Sequence, residues 1–262
     1  MTVLTAPSEQ LSTHPRPAST PFGRVLKVVK LQLIGNPMTT IGMPWMILGF
    51  IFIANLLLWI IVAMTTSGQD AVDFRNGLGY SGSSFYIFVY MLVVAIQAFS
   101  ITFRFALGLG VTRKNYWLGS AVSFVTLAAM YSVGLTTLAG IERATDGWGL
   151  GGRMFSAIYF GDEWWQRLLV FFFGLLFSLF VGSLFAAVWV RFKGIGMVVL
   201  FGGLGLVTIG AIAWFSFTRT WNSFADVFVG ATSVGIASWL LVPAALAALL
   251  GFLILRGATA RG

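Results

Sequence analysis

Ionisable side chains punctuate this chain sparsely and in a pattern. Six intervals contain no Asp, Glu, Lys or Arg: 31–69, 76–103, 115–141, 168–190, 194–218 and 227–255. Each is dominated by apolar residues and exceeds the about 20 residues an α-helix needs to cross about 30 Å of hydrocarbon. A charge at the bilayer centre costs about 2.5–3.5 kcal/mol, whereas each large aliphatic side chain returns only a few tenths. Six runs that avoid charge therefore predict an all-α, polytopic membrane protein. Its six transmembrane helices fall over roughly 42–64, 85–105, 118–140, 168–190, 195–215 and 235–255.

The flanks differ. Residues 1–21 are rich in Ser, Thr and Pro and predict a disordered tail, with no apolar core of a secretory signal and an inert His14. Residues 22–36 form a separate unit. Phe22, Val25, Leu26, Val29 and Leu33 recur at helical spacing, with Arg24 and Lys27 opposite and Lys30 at the rim. That predicts an interfacial amphipathic connecting helix, ended by Gly35-Asn36-Pro37; the alternative is a plain loop into the first span. The six-helix domain then covers 37–256, and 257–262 is a short tail. Within it, Gly202, Gly203 and Gly205 suit either close helix packing or bending. Pro44 falls in a first helical turn, where it is tolerated, and Pro243 predicts a kink in the sixth span.

Composition sharpens the picture. Of 262 residues 58% are hydrophobic and 9% charged, against about 25% charged in soluble domains. The 16 basic residues outnumber the 8 acidic ones, and they are not spread evenly. With six spans, one side carries Arg16, Arg24, Lys27, Lys30, Arg104, Arg113, Lys114, Arg191, Lys193, Arg256 and Arg261. The other side carries seven of the eight acids and only Arg75, Arg143, Arg153, Arg167 and Arg219. The positive-inside rule places both termini in the cytoplasm. The basicity is thus a topology signal and predicts a lipid bilayer as partner, with no nucleic acid.

Several chemistries are excluded or disfavoured. There is no cysteine, and the sole histidine lies in the tail, which removes thiolate and Ser-His catalysis. No P-loop is present. The predicted spans contain no Asp, Glu, Lys or His, so they supply neither metal ligands nor the ionisable groups typical of ion-coupled carriers. Asn55 and Gln97 read as interhelical hydrogen-bonders. The run GWGLGG at 147–152 lacks the strand and Lys-Ser/Thr of a phosphate loop and reads as a flexible outer turn within an aromatic-rich exterior segment, 142–167. Residues 216–234 read as an outer loop or a segment dipping back into the outer leaflet. No catalytic residue and no metal site is expected, and any uphill transport must draw its energy from a partner.

The connection after the second span reads ITFRFALGLGVTRKNYWLGSAVSF. Arg104 marks the exit from the bilayer, Leu107, Gly108 and Gly110 a turn, and Val111, Thr112, Arg113, Lys114, Asn115 and Tyr116 the re-entry. It is either a docking loop for a soluble protein or an ordinary positive-inside hairpin. With the N-terminal helix and the six-span layout, FALGLGVTRKNYWLG resembles the membrane-spanning permease subunits of bacterial type-2 ATP-binding-cassette (ABC) transporters. The turn GVTRKNY is similar to members associated with drug or peptide efflux.

The resemblance implies an exporter permease in the bacterial cell membrane, forming half of a translocation pathway with a second copy or a sister subunit. It implies coupling to separate cytoplasmic ABC ATPase subunits through Arg104 to Tyr116, with Phe22, Arg24, Lys27 and Lys30 on the connecting helix beside them. ATP and Mg would bind the partner ATPase, and this chain would bind no cofactor. The long exterior segment between spans three and four departs from the family pattern, which places the outer excursion after span five. The rival expectations are a partner-independent carrier or channel and a non-transporting assembly protein.

Overall fold

The computed structural model describes residues 21–35 and 37–257. Most of both expected tails, with His14, Arg16 and Arg261, lies outside the described residues, as does Asn36. All regular structure described is helical: α1 Pro21–Leu33, α2 Met38–Thr65, α3 Gln69–Gly77, α4 Ser83–Gly108, α5 Arg113–Ala144, α6 Trp164–Thr218, α7 Trp221–Val229 and α8 Ser233–Arg256. Five of them, α2, α4, α5, α6 and α8, are long and apolar enough to cross a membrane. Helices satisfy their own backbone groups, which lipid requires of any spanning segment. The chain is an all-α, multi-pass membrane protein.

The count of five differs from the six runs because two runs are joined. α6 has 55 residues, about 80 Å if straight. It is not straight. Lys193 adopts φ 53°, ψ −141°, and the Phe185 and Phe201 rings lie 5.6 Å apart. Sixteen residues of unbroken helix would separate them by about 24 Å. The chain therefore folds back at Lys193 with no intervening loop, giving limbs 164–192 and 194–218. The reversal falls within Arg191-Phe192-Lys193-Gly194, where two cations interrupt the apolar run.

The first limb of α6 is the hub. Phe171, Leu175, Leu179, Gly182, Ser183, Ala186 and Ala187 line one buried stripe, and α4, α5 and α8 all pack on this helix. Gly182 is required here, since a Cβ on it would sit 2.4 Å from the Leu92 carbonyl oxygen of α4. α5 contributes the matching stripe Tyr116, Phe124, Leu127, Ala128, Tyr131, Leu135 and Ala139, at the three- and four-residue spacing of a buried helical face. α2 leans on α5 through Trp45, stacked on Tyr131 at 5.3 Å. Asn55 accepts a hydrogen bond from Ser83 Oγ at 3.0 Å, tying α2 to the start of α4.

The two prolines act differently. Pro44 follows the π turn Met38–Gly42 at the start of the regular helix. In α8 the helix is interrupted at Trp239–Leu240, just ahead of Pro243, where Trp239 and Leu240 N–H groups bond three residues back. The glycines of the second α6 limb differ from one reading of the sequence. A Cβ at Gly202, Gly203, Gly205 or Gly210 meets nothing within 4 Å among the described residues. The reason is placement: 194–218 lies on the periphery of the bundle, with most of its side chains exposed.

Candidate functional site

The end of the bundle that carries Arg113 is a fixed corner built by local sequence. α4 ends in a Schellman cap. Val111 N–H donates to Ala106 O at 3.1 Å and Gly110 N–H to Leu107 O at 3.0 Å, with Gly110 at φ +79°. Two residues later Thr112 Oγ accepts from Asn115 N–H at 3.3 Å and starts α5. The connection is thus a fixed turn of Leu109 to Thr112. Arg104, Gly108, Leu109, Gly110, Thr112 and Lys114 are exposed, whereas Leu107, Val111, Arg113 and Asn115 are half-buried.

Tyr116 departs from the expected docking surface: it is fully buried. Its hydroxyl donates to the Ala98 carbonyl and accepts from Gln32 Nε2 at 3.1 Å, and Gln32 also donates to Ser120 Oγ at 2.7 Å. Ala98 opens the π turn Ala98–Thr102 inside α4. One phenol therefore joins α1, α4 and α5. Aromatic residues with a polar tip bury well only when that tip finds partners, and here it finds one on each neighbouring helix. Tyr116→Phe should cost about 1 kcal/mol of stability and loosen α1 selectively. Faster amide exchange in residues 23–33 than in α6 is the expected reading.

α1 is seated on α5 by a face that the apolar spacing reads only in part. Val28 and Gln32 are buried, while Leu26 is 43% exposed. A Cβ on Gly119 would lie 2.5 Å from Val28 Cβ and 3.1 Å from Val25 O. The contact face is Val25, Val28 and Gln32; it shares Val25 with the expected stripe and adds Val28 and Gln32, while Leu26 of that stripe turns outward. Gln32 hid part of it by being polar. Arg24, Lys27 and Lys30 stay on the exposed side.

Cations dominate this end. Arg113 Nη1 donates to Arg256 O at 3.3 Å and Arg191 Nη1 to Ile254 O at 3.1 Å. Both cap the last carbonyls of α8, where a helix dipole favours positive charge. Among the described residues every acid lies at the other end.

That other end carries the charges that the sequence places outside the spans. α5 runs to Ala144, so Glu142 is part of a spanning helix and is completely buried. The expected span, 118–140, holds no acid; the helix extends past it, and Glu142 stands in its last turn. Glu142 Oε2 accepts from Met154 N–H at 3.0 Å, Phe155 N–H at 3.0 Å and Trp148 Nε1 at 3.4 Å. Its Oε1 accepts from Ser156 N–H at 2.9 Å and Ser156 Oγ at 2.6 Å. Successive backbone N–H groups form an anion nest around the carboxylate. Arg167, also buried, donates from Nε to Gly161 O at 3.0 Å and from Nη2 to Asp162 O. Arg143 pairs with Asp162 at 3.4 Å.

GWGLGG is accordingly a fitted turn. A Cβ on Gly147 would sit 2.4 Å from Gly152 N, and one on Gly152 would strike the Trp59 ring at 2.1 Å. Tyr159 donates to Ser81 O, and burial pushes its phenol above its ordinary value.

Beneath this cap lies an apolar cavity of about 490 Å³ lined by Phe85, Phe88, Tyr159, Phe160, Gly174, Phe177 and Ile236, among others. No cluster of metal-ligating side chains occurs among the described residues. Comparison with family models, with curated proteins and with solved structures finds no match to this chain, so its geometry is the ground for a functional reading.

Proposed function

We propose that this chain is the membrane-spanning subunit of an ATP-driven exporter, with six crossings and both ends in the cytoplasm. The reversal at Lys193 supports counting the α6 limbs as two crossings. On that count, the nine cations of the Lys30/Arg113/Arg256 end among the described residues face the cytoplasm. The observation that carries the reading is the capped corner 104–114. It exposes a cationic turn to the soluble side and is welded through Tyr116 to α1 and to the π turn of α4.

A force applied at Lys114 by an ATPase is then transmitted without slack. Schellman and Thr caps hold the turn, and the Tyr116 hydrogen bonds carry its displacement into α4 at a π turn, a local irregularity at which helices bend. The nested Glu142 loop fixes the opposite ends of α5 and α6 as the fulcrum. A second permease copy would complete the pathway, with the peripheral glycine-rich limb 194–218 as its contact. The apolar cavity suits an uncharged, hydrophobic cargo. ATP and Mg belong to the ATPase.

The test is to replace residues 108–114 with a Gly-Ser stretch of equal length and purify both forms from native membranes in mild detergent. The unaltered chain should co-purify with a P-loop ATPase and show ATP hydrolysis, and the altered chain should insert normally but lose both. Equal ATPase recovery with the altered chain refutes the reading. Gradient-driven flux by the purified chain alone in liposomes would favour a partner-independent carrier instead.

A further inference from the structure

A cavity of about 320 Å³ opens at the cationic end, between the start of α5 and the end of α8. Its lining is divided by chemistry: Arg113, Lys114 and Arg256 on one part, Trp117, Phe252 and Leu255 on the other. The division follows the chain. Arg113 and Lys114 are the first two residues of α5 and Trp117 stands one turn further into the bundle, while Arg256 ends α8 with Leu255 and Phe252 behind it. Apolar walls therefore lie on the bilayer side of the cations. Trp117 packs against Phe252 with ring centroids 6.3 Å apart and against Gly251, where a Cβ would come within 2.8 Å of the indole. The apolar wall is thus a fixed surface.

Among the described residues no carboxylate compensates the charge here. The polar contacts within the corner are Arg113 to the Arg256 carbonyl and Arg191 to that of Ile254. Both satisfy the α8 carbonyls, and neither removes a formal charge. The N-terminus of α5 adds its positive dipole end. Three cations and a helix N-terminus above an aromatic and aliphatic wall match an anion carrying hydrocarbon, and do not match a wholly soluble one. A headgroup-level pocket of this make-up between helices is what an anionic phospholipid recognises.

We infer that this cavity is a binding site for the phosphate headgroup of an anionic membrane lipid, its acyl chains leaving along Phe252, with the nearly covered Trp117 and Leu255 as the floor behind it. The inference stands on the cavity alone and goes beyond the exporter reading. If both hold, the lipid sits against Arg113 and Lys114, beside the corner that would receive the ATPase.

The test uses the full chain purified in maltoside detergent, with bound lipid counted by native mass spectrometry. Dioleoyl phosphatidylglycerol, dioleoyl phosphatidylcholine and inorganic phosphate are the probes. Phosphatidylglycerol should bind at least about tenfold more tightly than phosphatidylcholine, and inorganic phosphate at the same concentration should not displace it. Lys114→Gln and Arg256→Gln should each weaken phosphatidylglycerol about fivefold, with melting temperatures of the lipid-free variants unchanged. Lys30→Gln removes a charge at the same end but outside the cavity and should change binding less than twofold. Equal binding of the two lipids overturns the inference, as does an equal loss in Lys30→Gln, which would mean diffuse attraction. Full displacement by inorganic phosphate would make the site one for a free anion and overturn the lipid assignment. Should Arg256→Gln fail to fold, Lys114→Gln on the exposed rim decides alone.

Discussion

Glu142→Gln should destabilise the protein by about 1–3 kcal/mol, and Glu142→Ala by more. The near-isosteric amide is usually the mild replacement for a carboxylate. Here it is not, because both oxygens are acceptors: Oε1 faces Ser156 N–H and Oγ, and Oε2 faces Met154 N–H, Phe155 N–H and Trp148 Nε1. Whichever way the amide is turned, its NH₂ meets N–H donors. Each buried donor left without an acceptor costs about 1–3 kcal/mol. Glu142→Ala removes both acceptor oxygens and leaves a void as well. The checks are thermal melting in detergent and trypsin cleavage at exposed Arg153, which should become rapid in both variants. Near-native melting of Glu142→Gln would show that the nest is not what holds the loop.

The second large effect is expected at Gly119. Glycine to alanine in an exposed helix is normally stabilising by roughly 0.5–1 kcal/mol. At Gly119 the sign should reverse, to a loss of about 1–3 kcal/mol, since the new methyl would lie 2.5 Å from Val28 Cβ and 3.1 Å from the Val25 carbonyl. Neither is the movable end of a long side chain, so α1 must lift from α5. Lifting α1 pulls Gln32 from Tyr116 and Ser120 and frees the 104–116 corner from α1. Trypsin cleavage at Lys27 and Lys30 reports the release. Removing the opposing Cβ in the double variant Val28→Gly, Gly119→Ala should slow that cleavage again, despite the intrinsic helix cost of the new glycine. If the double variant is cleaved as fast as the single one, the steric account fails. Loss of ATPase association in Gly119→Ala, with association restored in the double variant, would further tie the α1 seat to coupling.

Charge-free length sufficed to read the helical, membrane-embedded class, because lipid tolerates neither unpaired backbone nor unpaired charge. The turn 108–112 was equally legible: Gly110, Val111 and Thr112 are the residues that stop one helix and start the next for local steric and hydrogen-bonding reasons. The boundaries of the spans were less so. α5 continues to Ala144, past Glu142, because donors from thirteen residues downstream satisfy that carboxylate, and no local signal announces them. The docking face of α1 was hidden in part for a similar reason. Gln32 counts as polar along the chain but is buried through partners on α5, and Gly119 becomes a seat only when Val28 lies across it.

The sequence by itself determined that these helices live in a bilayer and that cations gather at one end and acids at the other, since both follow from transfer energies summed residue by residue. It also wrote the capped corner after α4. Only the tertiary structure decided that Tyr116 is a buried joint and Glu142 the centre of a nest. It also decided that α6 folds back on itself at Lys193 and that Arg113, Lys114 and Arg256 share one cavity. Each of these depends on groups distant in the chain meeting at hydrogen-bond or van der Waals range, which residue types and their spacing do not encode one position at a time.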